Sequence, residues 1–312
     1  MRIIFFGSDD FAAVHLEMLL NSGHEVLGCV TGPDKAQGRG MKIGVSAVKQ
    51  MALDHQLPCF QPGTLKSADI VQRLKSFNAD IFIVVAYGRL LTPEILALPK
   101  MLCLNVHGSL LPKYRGAAPV NWAIINGDRE TGVTVQKMAL ELDAGEIIAQ
   151  EKMSIGQDEN AAQLRKRMAE IGAQLLQKVL KNNPAGHFPL IPQDKGQVTL
   201  APKLTKEMGK IDWSKPAQTI MNQVRGLQPW PGAYTFYKNK MIKITQVQLS
   251  DANTQETRAG QVININKNGF IVSCLDKGLL IQEVQPEAGK LMAAQSFVAG
   301  YKIAQGSLLG DC

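Results

Sequence analysis

The sequence predicts an α/β protein: an open, mostly parallel sheet flanked by helices, followed by a small all-β region. Three observations carry that prediction. Short apolar segments alternate with amphipathic ones through the first half of the chain. One of them, "DIFIVVAY" from Asp80 to Tyr87, is apolar almost without interruption, as a strand covered on both faces must be. Beyond Trp213 the helical period nearly disappears, and alternating segments separated by turn residues replace it.

In chain order, "RIIFF" reads as a strand. "DDFAAVHLEMLLNSG" reads as a helix, with Asp9 or Asp10 as its N-cap and Gly23 as its stop. "EVLGCV" is a second strand, "VSAVKQMALDH" a helix and "LPCF" a short strand. "SADIVQRLKSF" has apolar residues at helical spacing behind a capping Ser67. "MLCLNVH" and "GVTVQKM" are further strands, and "NAAQLRKRMAEIGAQLLQKVLKN" is a long amphipathic helix that closes the unit. "NNPAGHFPLIPQDKG" is rich in proline and glycine and reads as a linker. After Trp213, helical signal is confined to about Ala217–Leu227. "YTFYKNKMIKITQVQLS", "AGQVININKNGFIVSC" and "GLLIQEVQPE" alternate around turns at Asn239 and Asn268–Gly269, the pattern of a small β-barrel or sandwich.

Composition narrows the class. A chain of 312 residues is too long for one ordinary core and implies one large domain or two. No apolar run is long enough to span a bilayer. The N-terminal run stops at Gly7 before an acidic pair, as a buried strand and its turn do and a signal peptide does not. A soluble, cytoplasmic chain without membrane contact is the expectation. The five cysteines are odd in number and scattered, with no C-x-x-C, which argues against a disulfide framework or a zinc knuckle. The net charge is +7 and unevenly spread: Leu200–Thr245 holds eight Lys and Arg against two Asp and Glu. A basic segment of that kind suits a polyanionic partner, or is a solvated charged face.

Ligands of open α/β sheets sit at the carboxyl ends of the strands, where strand order reverses. "GSDDFA" after the first strand has only Gly7 of a dinucleotide fingerprint, so nucleotide-dependent redox chemistry is poorly supported. Thr31–Lys42 interleaves three glycines with Lys35, Arg39 and Lys42; it is either a phosphate-contacting loop or a solvated one. "AYGRLL" follows the buried run. "NVHGSLLP" places Asn105 and His107 two residues apart on a strand, so they project from one face. A carboxamide N–H can stabilise an oxyanion, and an imidazole can accept a proton from an attacking amine; together they suit acyl transfer. The bland alternative is an Asn105 bonded to nearby backbone and a packed His107. His15, His24, His55 and His187 lack such a partner and read as structural. A carboxylate to hold the imidazole would come from "LELDAGEI", where Glu141, Asp143 and Glu146 compete and spacing alone does not choose.

"NVHGSLLPKYRGAAP" together with "LDAGEI" resembles the formyltransferase family that uses 10-formyltetrahydrofolate, whose hallmark is Asn, His two residues later, S-L-L-P and a downstream Asp. "FFGSDDFA", "TGPDKAQGRG", "VVAYGRLL", "RGAAPVNWAI", "ETGVTVQKM", "KIDW" and "QPWPGAY" extend the resemblance over nearly the whole chain, thinning after about Ser250, and are similar in order and spacing to the members that act on charged tRNA. The resemblance implies a Rossmann-like catalytic domain over 1–188, a linker over 189–204 and an OB-like domain over 205–312. It implies catalytic roles for Asn105, His107 and Asp143 without a metal. It also implies a folate site near Tyr87, Gly88 and Leu90 and the turn Ser109, Leu110, Leu111 and Pro112. The implied partners are 10-formyltetrahydrofolate and initiator methionyl-tRNA, met by a monomer. Arg39 would be the main contact of a loop entering the acceptor stem, with Lys35 and Lys42 beside it. Gly32, Lys35 and Gln37 depart from the Gln, Arg and Ala of many relatives. Lys203, Lys206 and Lys210 would lie on a barrel that tracks the tRNA backbone. The competing readings are a sibling formyltransferase acting on a small amine such as glycinamide ribonucleotide, and a nucleic-acid-binding protein with an inactive first domain. The intact Asn105, His107 and Asp143 speak against the second.

Overall fold

The strand–helix alternation is realised in the computed structural model, which describes residues 1–37 and 42–310. The first part of the chain runs through β1 (Arg2–Gly7), α1 (Asp10–Leu20), β2 (Glu25–Val30), β3 (Lys35–Gln37), β4 (Lys42–Gly44), α2 (Ala47–Asp54), β5 (Cys59–Phe60) and α3 (Ala68–Ser76). It continues through β6 (Ile81–Val85), α4 (Pro93–Leu96), β7 (Cys103–His107), β8 (Arg115–Gly116), α5 (Pro119–Ile125), β9 (Glu130–Lys137), β10 (Ile147–Ser154), α6 (Ala161–Asn182) and β11 (Leu200–Ala201). Two units divide the chain. The first comprises Met1–Pro119, Glu130–Ser154 and Arg165–Pro202; the second comprises Val120–Arg129, Ile155–Leu164 and the residues from Lys203 on.

The first unit is built on a seven-stranded sheet in the order β10-β9-β7-β6-β1-β2-β5. The five strands from β7 to β5 are parallel, and β9 and β10 each run antiparallel to the preceding neighbour. Strand order reverses between β1 and β6, where Gly7 pairs with Val85 at the carboxyl ends. Ile3, Ile4, Phe5 and Phe6 of β1 are all fully buried, and so are the five residues of β6, which is why these segments carry no polar face. Phe82 meets Phe6 at a ring separation of 5.3 Å and anchors one side of this core. The strand β10 was not among the expected elements. It lies at the sheet edge with half of its residues exposed, so its polar residues hide the period that burial writes into the central strands.

The expected helix ends are met in part: α1 stops at Leu20 with Asn21 as its C-cap, two residues before the expected Gly23. The carboxylate of Asp9, not Asp10, accepts from the Ala12 N–H at 3.1 Å and starts α1; Ser46 does the same for Lys49 N–H at the start of α2. Ser67 occupies the N-cap position of α3, but its hydroxyl makes no capping bond, contrary to expectation. Where a glycine-bearing loop was expected between Thr31 and Lys42, β3 and β4 pair as an antiparallel ribbon. Arg39 lies outside the described residues. The proline-rich stretch expected as a linker carries pairings of its own: Ile191 and Ile147 exchange backbone hydrogen bonds of 2.9 and 2.8 Å, and β11 pairs with β8. Both backbone groups of Ile191 are thus paired within the first unit.

The second unit holds α7 (Ala217–Gly226), β12 (Ala233–Tyr237), β13 (Lys240–Ser250), β14 (Val262–Asn266), β15 (Gly269–Ser273), β16 (Gly278–Pro286), β17 (Met292–Ala293) and α8 (Ala294–Tyr301). Its strands form an antiparallel sheet in the order β12-β13-β16-β15-β14, with β17 on β16. Lys238 and Asn239 both have positive φ between β12 and β13, the backbone a tight two-residue hairpin requires. Trp213 of the "KIDW" stretch is buried in the core and donates its indole N–H to Thr235 Oγ1 at 3.0 Å. The helix α8 departs from expectation. Its short "AQSFVAGY" sequence has weak helical propensity, yet burial of Ala294 and Phe297 in the unit's core stabilises it. Among the described residues no helix is long and apolar enough to cross a membrane.

Candidate active site

The site lies on the first unit, where β7 and β9 run side by side at the carboxyl end of the parallel strands. Asn105 is the register partner of Gln136, and His107 that of Thr134, so all four side chains leave one face of the sheet. Gln150 of β10 faces Thr134 in the next strand. Asn105 is partly exposed. Among the described residues its carboxamide has no hydrogen-bond partner, so its N–H groups are available to a ligand. This removes the reading in which Asn105 merely satisfies local backbone.

His107 is buried and oriented from both sides of its ring. Its Nε2 lies 2.9 Å from the Tyr114 carbonyl, which can only accept, so Nε2 carries a hydrogen. That leaves Nδ1 facing the Asp143 carboxylate at 3.6 Å. A proton arriving at Nδ1 therefore completes an ion pair between two side chains that are only 7% and 11% exposed. Asp143 is itself held: its Oδ2 accepts from the Gly116 N–H at 2.9 Å and its Oδ1 from Gln136 Nε2 at 3.3 Å.

The three competing carboxylates are thus separated by geometry. Glu141 pairs with Arg115 at 3.2 Å and Glu146 with Lys137 at 2.9 Å, which leaves Asp143 to meet His107. The loop that delivers it is tight. Asp143 has φ +51°, a conformation that Asp tolerates better than most residues. A Cβ on Gly145 would collide with the Lys137 carbonyl oxygen, so the return to β10 needs glycine there.

The turn after His107 is organised by polar groups from β9 and β10. Ser109 is fully buried and donates to the Lys113 carbonyl at 2.6 Å; its own carbonyl accepts from Thr134 Oγ1 at 2.6 Å. Gln150 Nε2 donates to the Leu111 carbonyl at 2.8 Å, and the Leu111–Pro112 peptide is cis. Leu110 lies over Gly132, where a Cβ would overlap it, and Leu111 is buried. At the switch point beside them, the Tyr87 ring is buried against Phe6 at 5.5 Å, Gly88 has φ +76° and Leu90 is 65% exposed. Tyr87, Ser109 and Leu111 therefore offer this surface backbone rather than side chains, whereas Leu90 offers an apolar side chain.

The remaining candidates belong to other elements. Lys35 and Lys42 belong to the ribbon β3–β4. Lys203, Lys206 and Lys210 of the second unit are exposed, and Lys210 Nζ lies 5.9 Å from the Phe236 ring. Burial pushes the thiols of Cys29, Cys103 and Cys274 up to about 12, so none of the three is a poised nucleophile. Sequence reasoning missed Gln136, Thr134, Arg115 and Gln193. The first two did leave a signal: polar residues at alternate positions within an otherwise apolar strand, "VTVQ".

An available carboxamide beside an imidazole backed by a carboxylate is equipment for acyl-group transfer, and the comparison with known families agrees. The formyl transferase family model matches residues 1–180 and the formyl transferase C-terminal domain model matches residues 203–302, so the chain belongs to the formyl transferase family. Over 311 residues it is 42% identical to the methionyl-tRNA formyltransferase of Alkaliphilus oremlandii, covering 100% of both chains. It is 43% identical over 310 residues to that of Caldanaerobacter subterraneus subsp. tengcongensis, covering 99% of this chain and 100% of the other. Among solved structures, HypX from Aquifex aeolicus in complex with tetrahydrofolic acid shares the fold, with a TM-score of 0.63 at 16% identity over 96% of this chain. The present chain spans about half the length of HypX, 47% of it.

Proposed function

We propose that this chain transfers the formyl group of 10-formyltetrahydrofolate to the α-amino group of methionine on initiator methionyl-tRNA. The observation that carries the reading is the meeting of Asn105, His107 and Asp143 at one strand end. The full-length likeness to proteins named methionyl-tRNA formyltransferase supports the choice of acceptor.

The residues fit a formyl donor. Asn105 presents an amide donor with no internal partner, and the backbone around Tyr87, Gly88 and Ser109–Pro112 with the exposed Leu90 would hold the folate. When bound, the folate supplies the formyl carbon and, at N10, the leaving nitrogen. The Asn105 carboxamide donates to the formyl oxygen as negative charge gathers there, the interaction that lowers the barrier most in acyl transfer. His107 accepts the proton that the attacking amine must lose, at Nδ1. Its Nε2–H remains fixed by the Tyr114 carbonyl, so the ring does not turn away. Asp143 stabilises the imidazolium so formed, and the proton then leaves toward the departing nitrogen. Lys35, Arg39 and Lys42, with Lys203, Lys206 and Lys210, serve as contacts to the tRNA backbone, where cations bind without reading sequence.

A formyl-transfer assay with 10-formyltetrahydrofolate, offering charged initiator tRNA and glycinamide ribonucleotide in separate reactions, tests the reading. Turnover on the charged tRNA is the expected result. Turnover on glycinamide ribonucleotide alone would move the acceptor to a small amine, and no turnover on either would remove the activity.

A further inference from the structure

We propose that Gln193 and Arg115 form a positioning clamp that sets where the Asp143 carboxylate stands; the inference rests on the catalytic reading above. Asp143 sits in a loop whose own backbone bonds are Ala144 N–H to the Glu141 carbonyl at 3.3 Å and, where the loop closes, Lys137 N–H to the Glu146 carbonyl at 2.9 Å. The loop is held from outside. Gln193 Nε2 donates to the carbonyl of Asp143 at 2.8 Å and to that of Gly145 at 2.7 Å, and so grips the loop at and just after the carboxylate. The other end of the same carboxamide is held by Arg115, whose Nε and Nη2 both donate to Gln193 Oε1, at 3.1 and 2.8 Å.

Arg115 is only 8% exposed, and its third nitrogen reaches the same loop from the other side, with Nη1 3.2 Å from Glu141 Oε1. The loop is thus tied at Glu141, Asp143 and Gly145 by two side chains that are also bonded to each other. The next residue along from Arg115, Gly116, gives its N–H to the Asp143 carboxylate itself. The segment bearing Gln193 has no freedom to drift: Ile191 pairs with Ile147 on one side of it, and β11 pairs with β8 on the other. Removing the Gln193 carboxamide would leave a buried guanidinium edge and two loop carbonyls without partners, and the loop would move to satisfy them. A displacement of about 1 Å of a catalytic group costs about a hundredfold in rate.

Gln193 touches no reacting atom in this scheme, so its effect must pass through Asp143, and a double-mutant cycle detects that. In the full chain, Gln193→Ala is expected to lower kcat at least tenfold, with the KM values for formyl donor and charged tRNA within twofold of wild type. In an Asp143→Ala background the same change is expected to cost less than twofold. Gln193→Glu keeps an acceptor for Arg115 but loses the donor to the loop; it is expected to match Gln193→Ala while preserving the fold. Amide exchange at Ala144, bonded to the Glu141 carbonyl, and at Gly116, bonded to the Asp143 carboxylate, is expected to quicken at least tenfold in both variants, with that of β6 and β7 unchanged. Wild-type kcat in Gln193→Ala, an undiminished loss in the Asp143→Ala background, or unchanged loop exchange would each overturn the clamp. A wild-type chain inactive on every acceptor would instead sink the catalytic reading, and the exchange measurement would still judge the clamp by itself.

Discussion

Asn105 and His15 show two opposite fates of a polar side chain in this fold. Asn105 keeps its amide hydrogens for a ligand, so its removal should touch chemistry and leave stability nearly alone. Asn105→Ala is expected to lower kcat by about a hundredfold or more, with a thermal midpoint close to wild type; steady-state kinetics beside a melting curve check both. His15 is a polar group with no solvent at all. Its Nδ1–H donates to the Phe11 carbonyl at 2.8 Å, and its Nε2 is buried where α6 passes close enough that a Cβ on Gly172 would stand 2.8 Å away. Burial, with Arg165 adding to it, lowers the His15 pKa to about 4. The unfolded chain takes up a proton near pH 6.5 that the folded chain refuses. The His15 contribution is therefore complete above pH 6.5 and drains away as pH falls toward 4. Urea midpoints measured across that window should slope downward with acid in the wild type by up to about 1.4 kcal/mol per pH unit from this group. The slope should flatten by that amount in His15→Leu, and an unchanged slope would assign the acid sensitivity elsewhere.

At the scale of the element, what burial writes into sequence was legible and what edges write was not. β1 and β6 are covered on both faces, so their apolar runs announced them, and a cap at Asp9 or Asp10 was readable from side-chain chemistry. The edge strand β10 has an exposed face and no clean period. The helix α8 is held by Phe297 and Ala294 in the core rather than by its own propensity. The pairing of Asn105 and His107 on one face followed from the strand period alone. The choice of Asp143 over Glu141 and Glu146 did not, because each carboxylate's partner comes from a different element. The Asp143 loop also carries a prediction. Because a Cβ at Gly145 would meet the Lys137 carbonyl, Gly145→Ala must push the loop away from β9. Its kcat is expected to fall about as far as that of Asp143→Ala, while far-UV circular dichroism stays native. Full activity in Gly145→Ala would mean that the loop's position does not set the rate.

For the molecule as a whole, charge distribution is the property that predicts how it meets a polyanion. The basic run from Leu200 to Thr245 places Lys203, Lys206 and Lys210 on the exposed surface of the second unit. If these lysines neutralise tRNA phosphates, the triple change to Gln should reduce the slope of log K against log salt by up to about 2 to 3. The KM for the formyl donor should stay where it was, and an unaltered salt slope would relocate the contact. By itself, the sequence determined the strand–helix alternation, the change of texture near Trp213 and the shared face of Asn105 and His107, because hydrophobic period and turn chemistry are local properties. Only the tertiary structure decided that Asp143 backs His107, that Gln193 grips the Asp143 loop from 50 residues away, and that the proline-rich stretch is pinned down rather than free. Separation along a chain fixes no distance in space; it is the antiparallel closure of β9 on β7 and the pairing of β11 with β8 that bring these groups within hydrogen-bonding reach.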